Sequence, residues 1–297
     1  IKGSTSTRLE ILLLEVIFEL INCDYNSSKF ANCKEYYKIF NKHFSILAKR
    51  GIIEKEHRKN LFWVLCTGYM LLIQSIENSD NVLRKAENYK FFLLNNYPHH
   101  YTDFCRQFSK TLYIRNWDIA CEWQKLAYDS VHQKNYSESK QTLKVDFSFY
   151  FTQYLKTEDA YYLRKMKDTL VVAKQKIYSS YRHQLFLYCG LLYILDSIDE
   201  ADTLFVKDII SLRPIRQKMK GHYYMLLSLH FLKHANIKDA QKYTEKSIET
   251  LKGLRTYEEI ALHNNTVLNN VPLDKIQYKF CTSITFNSNT FYLDSRM

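Results

Sequence analysis

One group of residues in this sequence has side chains of the types that bind metal ions: two histidines, one aspartate and one cysteine. His99 and Asp103 lie four positions apart, so on a helix both side chains would share one face. His100 and Cys105 are close by. A zinc site needs about four ligands, and the remaining ligands are not evident, so polar residues at a helix start explain this group better. We therefore expect no metal site and no cofactor.

Cys189 and three histidines of a later segment are the other candidates for chemistry. Cys189 stands among apolar residues beside Gly190, where a thiol packs as a small hydrophobic side chain. His222, His230 and His234 are spaced by eight and four residues and could titrate together near neutral pH, although exposed helix-face histidines are commoner. The sequence contains no phosphate-binding glycine loop, nucleophile elbow or H-E-x-x-H motif. We therefore expect no catalytic residues and no enzyme.

Two basic segments, one around Gly51 and one around Pro214, could contact phosphate. The chain has a formal net charge of +11, and a basic surface attracts nucleic acid over a long range. The alternative is that both segments are solvated loops between apolar helices, so nucleic acid is a secondary expectation. The residues concerned are Lys49, Arg50, Lys55, Arg58, Lys59, Arg213, Arg216, Lys218 and Lys220.

The elements that must position these residues are predicted to be helices. Six Gly and three Pro in 297 residues favour long helices with short connections, and they disfavour doubly wound enzymes, whose cofactor loops need glycine. Seven scattered cysteines without a C-x-x-C pair indicate a reducing compartment. No apolar run is suited to a membrane span. We therefore expect a cytoplasmic protein without a membrane partner. Asn264-Asn265-Thr266, one of three glycosylation-type triplets, is attributed to chance.

Three segments of the second half can be aligned with one another. Each has a small residue, an aromatic residue three positions later, and an alanine after a polar break. In a helical hairpin the small residue lets two helices approach closely, and the alanine is the matching contact on the return helix. The aromatic residues are offset by 42 and then 38 positions, so the repeat is irregular. The aligned residues are Ser148, Phe151 and Ala160; Gly190, Tyr193 and Ala201; and Ser228, Phe231 and Ala240.

Residues 117 to 252 resemble the tetratricopeptide repeat family. The last copy matches best, with Leu227, Ser228, Phe231, Ala240, Tyr243 and Ser247 in the characteristic places. The segment from Tyr161 to Leu251 also resembles, more weakly, the peptide-sensing domain of Rgg- and PlcR-type regulators. In that family such a domain binds a short linear peptide in its concave face. It follows a DNA-binding helix-turn-helix, which is not recognisable in this sequence.

The tetratricopeptide resemblance implies a groove, because the first helix of each unit lines the concave face in that family. The positions carried over are mostly apolar, which suits a hydrophobic helix or an extended peptide. The alternative is that neighbouring helices bury them in a closed core. The implied groove residues are Phe149, Gln153, Gln184, Leu187, Leu191, Ile194, His222, Met225, Leu229 and Leu232.

The C-terminal tail changes from helical to strand periodicity. Apolar and polar residues alternate from Ile276 to Phe286, and a second run from Thr290 to Leu293 follows the turn-like residues 287–289. We therefore expect an all-α fold, a tetratricopeptide-like α-solenoid with a small C-terminal β-hairpin. Its predicted parts are a helical bundle or divergent repeats over 1–115, repeats over 116–262, and a tail over 263–297.

These observations predict a non-catalytic binding scaffold that recognises a peptide or protein segment in a concave helical groove. In one version it is the sensor part of a regulator. The alternatives are a nucleic-acid-associated protein that uses the basic loops and a structural subunit of a larger complex. A homodimer also stays open. Affinity for nucleic acid should collapse as salt rises, whereas apolar groove binding should barely respond.

Overall fold

The computed structural model describes residues 2–51, 57–77, 81–133, 140–176, 181–210 and 217–296. Thirteen α-helices and one two-stranded sheet lie in these ranges, which confirms the prediction of an all-α fold with a small β element near the C-terminus. The chain divides into two compact units, Ile1–Phe92 and Leu93–Met297. No helix within the described ranges is long and apolar enough to cross a membrane.

The N-terminal unit is built on three long helices and most of a fourth, within which the border between the units falls. These are α1 (Lys2–Asn26), α2 (Phe30–Lys49), α3 (His57–Glu77) and α4 (Val82–Asn96). Apolar side chains of the first three helices form its core, in which Phe40 and Leu47 are fully buried. Gly51 follows α2 with a φ of 66°, the left-handed conformation predicted for it. One face of α1 leaves a row of apolar residues exposed: Leu9, Leu12, Leu13, Val16 and Leu20.

The C-terminal unit contains successive helical hairpins, followed by one more helix and the sheet. The paired helices are α5 (Pro98–Leu112) with α6 (Trp117–Gln133), α7 (Lys140–Thr157) with α8 (Ala160–Gln175), α9 (Tyr181–Ile194) with α10 (Ile198–Leu204), and α11 (Gln217–Lys233) with α12 (Ile237–Leu251). A π-helical turn at Phe205–Ile209 extends α10, and α13 spans Thr256–Asn270. The predicted helical repeats are therefore present as hairpins.

The turns of the last three hairpins fix the register of the repeat. Each turn contains one residue with a φ of 55–57°, placed two positions before the second helix begins. Five residues after it, Ala201 and Ala240 are fully buried. Ala160, however, is exposed, and Leu163 takes the equivalent place in the first copy. The first predicted alanine contact is therefore wrong, because the irregular offset misaligned that copy. The turn residues are Glu158, Asp196 and Ala235.

The small residue that faces the return helix also differs from the sequence alignment in one repeat. Ser228 Oγ donates to the carbonyl oxygen of Ala240 at 2.9 Å. The equivalent contact in the preceding hairpin is made by Cys189, whose Sγ lies 3.6 Å from the carbonyl oxygen of Ala201. Gly190, the residue aligned from sequence, instead faces the C-terminal sheet. A one-residue shift thus moves the glycine from the hairpin contact to the inner face of the repeats.

The two strands predicted at the C-terminus are present, and they run parallel. Gln277 lies opposite Thr290, and the register continues to the last residue of each strand. The carbonyl oxygen of Asn289 accepts a hydrogen bond from Gln277 N at 2.9 Å, so the returning chain starts beside the beginning of the first strand. A tight antiparallel turn would have placed it beside the end. The strands are β1 (Gln277–Cys281) and β2 (Thr290–Asp294).

The strand pattern beyond Cys281 does not continue β1. Ile284 is 61% exposed, and the Phe286 ring stacks on the imidazole of His263 in α13, with the ring centroids 4.8 Å apart. Because Phe286 packs on α13, residues 282–286 form a connecting loop although apolar and polar residues alternate in them. The loop returns the chain for β2 to enter the core.

Candidate functional site

The C-terminal sheet covers the inner face of the repeats, where the groove was predicted. A Cβ added to Gly190 in α9 would lie 2.5 Å from Leu293 Cδ1 of β2 and 3.6 Å from the Phe280 ring of β1. The Phe280 ring also meets Phe151 of α7 edge-on, with centroids 4.9 Å apart. The strand β2 packs further on α11 and α13. One apolar cluster therefore joins both strands to the helices of this face.

The ten predicted groove residues divide into two groups by exposure. Phe149, Gln153 and Ile194 are half-buried. The others are at most 5% exposed and belong to the interior that the sheet helps to close. Among them, Gln184 donates from Nε2 to the carbonyl oxygen of Leu143 at 3.0 Å. The buried members are Gln184, Leu187, Leu191, His222, Met225, Leu229 and Leu232.

The backbone of β2 is held by polar side chains of α13. Asn264 is fully buried, and its Nδ2 donates to the carbonyl oxygen of Tyr292 at 2.8 Å. The backbone N of Tyr292 donates in return to Asn264 Oδ1 at 2.8 Å. His263 Nε2 lies 2.9 Å from the carbonyl oxygen of Thr290. A side-chain amide that pairs with both backbone groups of one residue can hold an extended chain whatever side chain that residue carries.

The end of the segment is anchored by a buried ion pair. Arg296 donates from Nε and Nη2 to the two carboxylate oxygens of Asp294, at 2.8 and 2.7 Å. Its Nη1 donates to Thr256 Oγ1 at 2.9 Å, and its guanidinium lies 3.9 Å from the centroid of the Tyr257 ring. Burial acts to raise the pKa of Asp294, but the Arg296 charge holds that pKa well below its usual value. The pair is therefore ionised inside the fold.

A fully buried histidine lies beside this anchor. Burial lowers the pKa of His222 to about 3; the Lys218 and Arg296 charges act in the same direction, and Asp294 acts against them. The imidazole is therefore neutral at pH 7. Neither of its ring nitrogens has a hydrogen-bond partner among the described residues, and its ring meets Tyr257 edge-on at 5.6 Å.

The sequence does not single out the residues that hold β2. The triplet that begins at Asn264 is attributed to chance, since such triplets are common in an Asn-rich chain, and residues 263–297 are predicted to form a tail. The structure extends α13 to Asn270, which places Asn264 on a buried helix face. An asparagine among Ile260, Ala261, Val267 and Leu268, all buried in α13, was the available signal. Asp294 and Arg296 offered no comparable pattern.

The described basic residues have different surroundings. Lys49 and Lys220 are exposed, and Arg50 pairs with Glu10 at 3.4 Å. Lys218 is half-buried, with its ammonium 4.5 Å from the centroid of the Tyr257 ring. The remaining predicted phosphate contacts cannot be placed: Lys55, Arg213 and Arg216 lie outside the described residues, as do the side chains of Arg58 and Lys59.

Two of the sequence candidates for chemistry, Asp103 and Cys189, are engaged in structural contacts. Asp103 accepts hydrogen bonds from Arg106 at 2.7 Å and from Gln107 at 2.5 Å. Cys189 is fully buried, and burial raises the pKa of its thiol. The Cys189 thiol is therefore not an activated nucleophile. All seven cysteines are free thiols.

Comparison with protein-family models, with curated proteins and with solved structures found no match to this chain. The geometry of the inner face and its strand is therefore the basis for the function considered next.

Proposed function

We propose that this chain is a non-catalytic, tetratricopeptide-like scaffold whose inner face recognises an extended polypeptide segment. The observation that carries the proposal is the pairing of Asn264 with both backbone groups of Tyr292. In this structure the chain's own residues 290–296 are the occupant, and all of them are buried. An external segment of similar chemistry would use the same contacts after displacing the tail.

The contacts of the tail define which segment the face would accept. Asn264 holds the backbone, while Leu293 fills the space left by the absent side chain of Gly190. Arg296 extends over Tyr257 and reaches Thr256. The favoured ligand is therefore an extended segment in which the residue held by Asn264 is followed directly by an aliphatic residue. A basic residue stands three positions after that aliphatic residue. This is the chemistry of peptide recognition by backbone pairing combined with side-chain pockets.

A tethered occupant changes the affinity that an experiment will measure. A flexible linker holds a segment at an effective concentration of about 1 mM, so a free peptide of equal intrinsic affinity competes poorly. Truncating a buried leucine costs about 2–5 kcal/mol. Leu293→Ala should therefore weaken the hold of the tail, and it substitutes no residue of the helices that form the face.

The test is fluorescence anisotropy with a labelled peptide that copies residues 287–296, added to the full-length chain. We expect weak saturable binding to the wild type and at least about tenfold tighter binding to Leu293→Ala, since the competing tail is weakened. A scrambled peptide of the same composition is the control, and circular dichroism checks that the variant keeps its helices.

The salt dependence of binding and its specificity for the peptide sequence distinguish the proposal from its alternatives. Binding that is insensitive to salt and selective for the ordered peptide supports the proposal. Failure of both folded proteins to bind the peptide would overturn it. Salt-sensitive binding of the copied and scrambled peptides alike would also overturn it, because charge attraction then explains the signal. Cytoplasmic location and a regulatory role stay predictions.

A further inference from the structure

Two histidines and one aspartate outside the inner-face site converge where α10 meets the C-terminal end of α11. His230 lies in the last turn of α11, His234 follows the end of that helix, and Asp202 lies on α10. One ligand atom from each residue falls within 4.8 Å of the other two. Sequence spacing relates the two histidines only to each other and to His222, because the connection between hairpins separates Asp202 from them.

The two separations between Asp202 and the histidines match those of ligands around a small tetrahedral metal. His230 Nδ1 lies 3.3 Å from Asp202 Oδ1, and His234 Nε2 lies 3.0 Å from Asp202 Oδ2. Bonds of about 2.0–2.1 Å from zinc to nitrogen and oxygen place neighbouring tetrahedral ligands about 3.3 Å apart. A metal can therefore be accommodated with small side-chain movements.

The surroundings hold these ligands in position. The Tyr193 hydroxyl lies 2.7 Å from Asp202 Oδ1 and 2.7 Å from His230 Nδ1. Phe205 stacks on the His230 ring with centroids 4.3 Å apart and planes within 8°. The Tyr193 hydroxyl orients the Asp202 carboxylate, and a partner that orients a ligating carboxylate raises metal affinity. Its contact with His230 Nδ1 is to the nitrogen that would bind the metal, so the hydroxyl must release that nitrogen when the metal binds. The nearby Lys233 ammonium is bonded to Asp196 at 2.6 Å, which directs its charge to another carboxylate.

We propose that Asp202, His230 and His234 bind one Zn²⁺ ion. Two imidazoles and one carboxylate form the donor set that zinc accepts, whereas Ca²⁺ and Mg²⁺ require more oxygen ligands. Three protein ligands leave the fourth tetrahedral position to water, and the His234 side chain is 41% exposed, so solvent reaches it. The bound ion would link α10 to α11. This site is independent of peptide binding by the inner face.

The test is a Zn²⁺ titration of the full-length chain, free of any affinity tag and stripped of metal, in competition with a chromophoric chelator. We expect one equivalent of Zn²⁺ to bind. His234→Ala and Asp202→Asn should each weaken binding by at least about 100-fold, because the first removes an imidazole ligand and the second removes the charge of the carboxylate ligand. Ca²⁺ and Mg²⁺ should not compete.

A matched control separates the site from surface histidine binding. His132 lies 2.8 Å from Asp146 and is similarly exposed, but this pair has no third candidate ligand among the described residues. His132→Ala should leave Zn²⁺ affinity unchanged. The Co²⁺-loaded chain should show the visible absorption bands of Co²⁺ bound by nitrogen and oxygen ligands. It should show no thiolate-to-metal charge-transfer band.

Three outcomes would overturn the zinc proposal. The first is no uptake of Zn²⁺ in competition with the chelator. The second is an affinity unchanged by both His234→Ala and Asp202→Asn. The third is a thiolate band that disappears in Cys23→Ser, because Cys23 is the exposed thiol. Hydrogen bonding alone would then account for the cluster.

Discussion

His222 shows how one buried side chain can set the pH dependence of the fold. The unfolded chain protonates a histidine near pH 6.5, whereas burial holds the folded pKa of His222 at about 3. The unfolded state thus binds more protons between these values, and stability must fall as the pH drops from 6.5 towards 3. The largest slope from this one residue is about 1.4 kcal/mol per pH unit.

We predict that His222→Leu flattens this pH dependence and stabilises the chain at pH 7. The leucine removes two buried nitrogens that lack partners among the described residues. A buried polar atom without a hydrogen bond destabilises the folded state by about 1–3 kcal/mol. Urea unfolding at pH 7 and at pH 4.5 measures both effects. The exposed His132→Leu is the control. A destabilised variant that retains the wild-type pH slope would contradict the prediction.

At the scale of elements, the contact between α9 and β2 depends on a missing side chain. A Cβ at Gly190 would lie 2.5 Å from Leu293 Cδ1, so Gly190→Ala must push the leucine aside. Alanine in a helix interior otherwise stabilises by about 0.5–1 kcal/mol relative to glycine. The two effects oppose each other, so the sign of the change in the free energy of unfolding shows which one is larger.

We predict that Gly190→Ala destabilises the wild type but stabilises the Leu293→Ala variant. Removing the leucine side chain leaves room for the new methyl group, so only the gain in helix propensity remains. A double-mutant cycle measured by urea unfolding reports the coupling directly. An equal stabilisation by Gly190→Ala in both backgrounds would show that the contact does not form.

Sequence reasoning was strongest for helices and weakest for what covers them. Apolar residues at three-to-four spacing and Gly51 predict a helix from Phe30 to Arg50, and α2 agrees with that range to within one residue. The inner face was different: Leu191 and Leu229 have apolar side chains that suit a groove and a core equally well. Long-range contacts place β2 on α11 and α13 and bring Leu293 against Gly190 of α9, and no local pattern in the sequence reports them.

The pairing of the strands exposes the same limit. Alternation predicted β1 and β2 from their own residues, but strand direction depends on where the intervening loop packs. Phe286 stacks on His263, and no local pattern reports that contact, which crosses 23 positions of the sequence. Local chemistry therefore predicted the elements, whereas tertiary contacts selected their arrangement.

At the scale of the molecule, the tail connects helices that are far apart in the sequence. Gly190 in α9 and Asn264 in α13 are 74 positions apart, yet both contact β2. A contact shared in this way should couple the local stability of the helices, since the strand closes their common core. Repeat helices that touch only their neighbours would lack such coupling.

We predict that Leu293→Ala lowers amide hydrogen-exchange protection in α9, α11 and α13 together. The loss of about 2–5 kcal/mol at a buried leucine should favour release of β2, and each of these helices then loses part of its apolar cover. The helix α6 packs on α5 and α7 and should keep its protection. A loss confined to residues 290–296 would show that the strand lies on the face without stabilising it. Joint loss in the three helices would establish the C-terminal strand as a structural part of the repeat array.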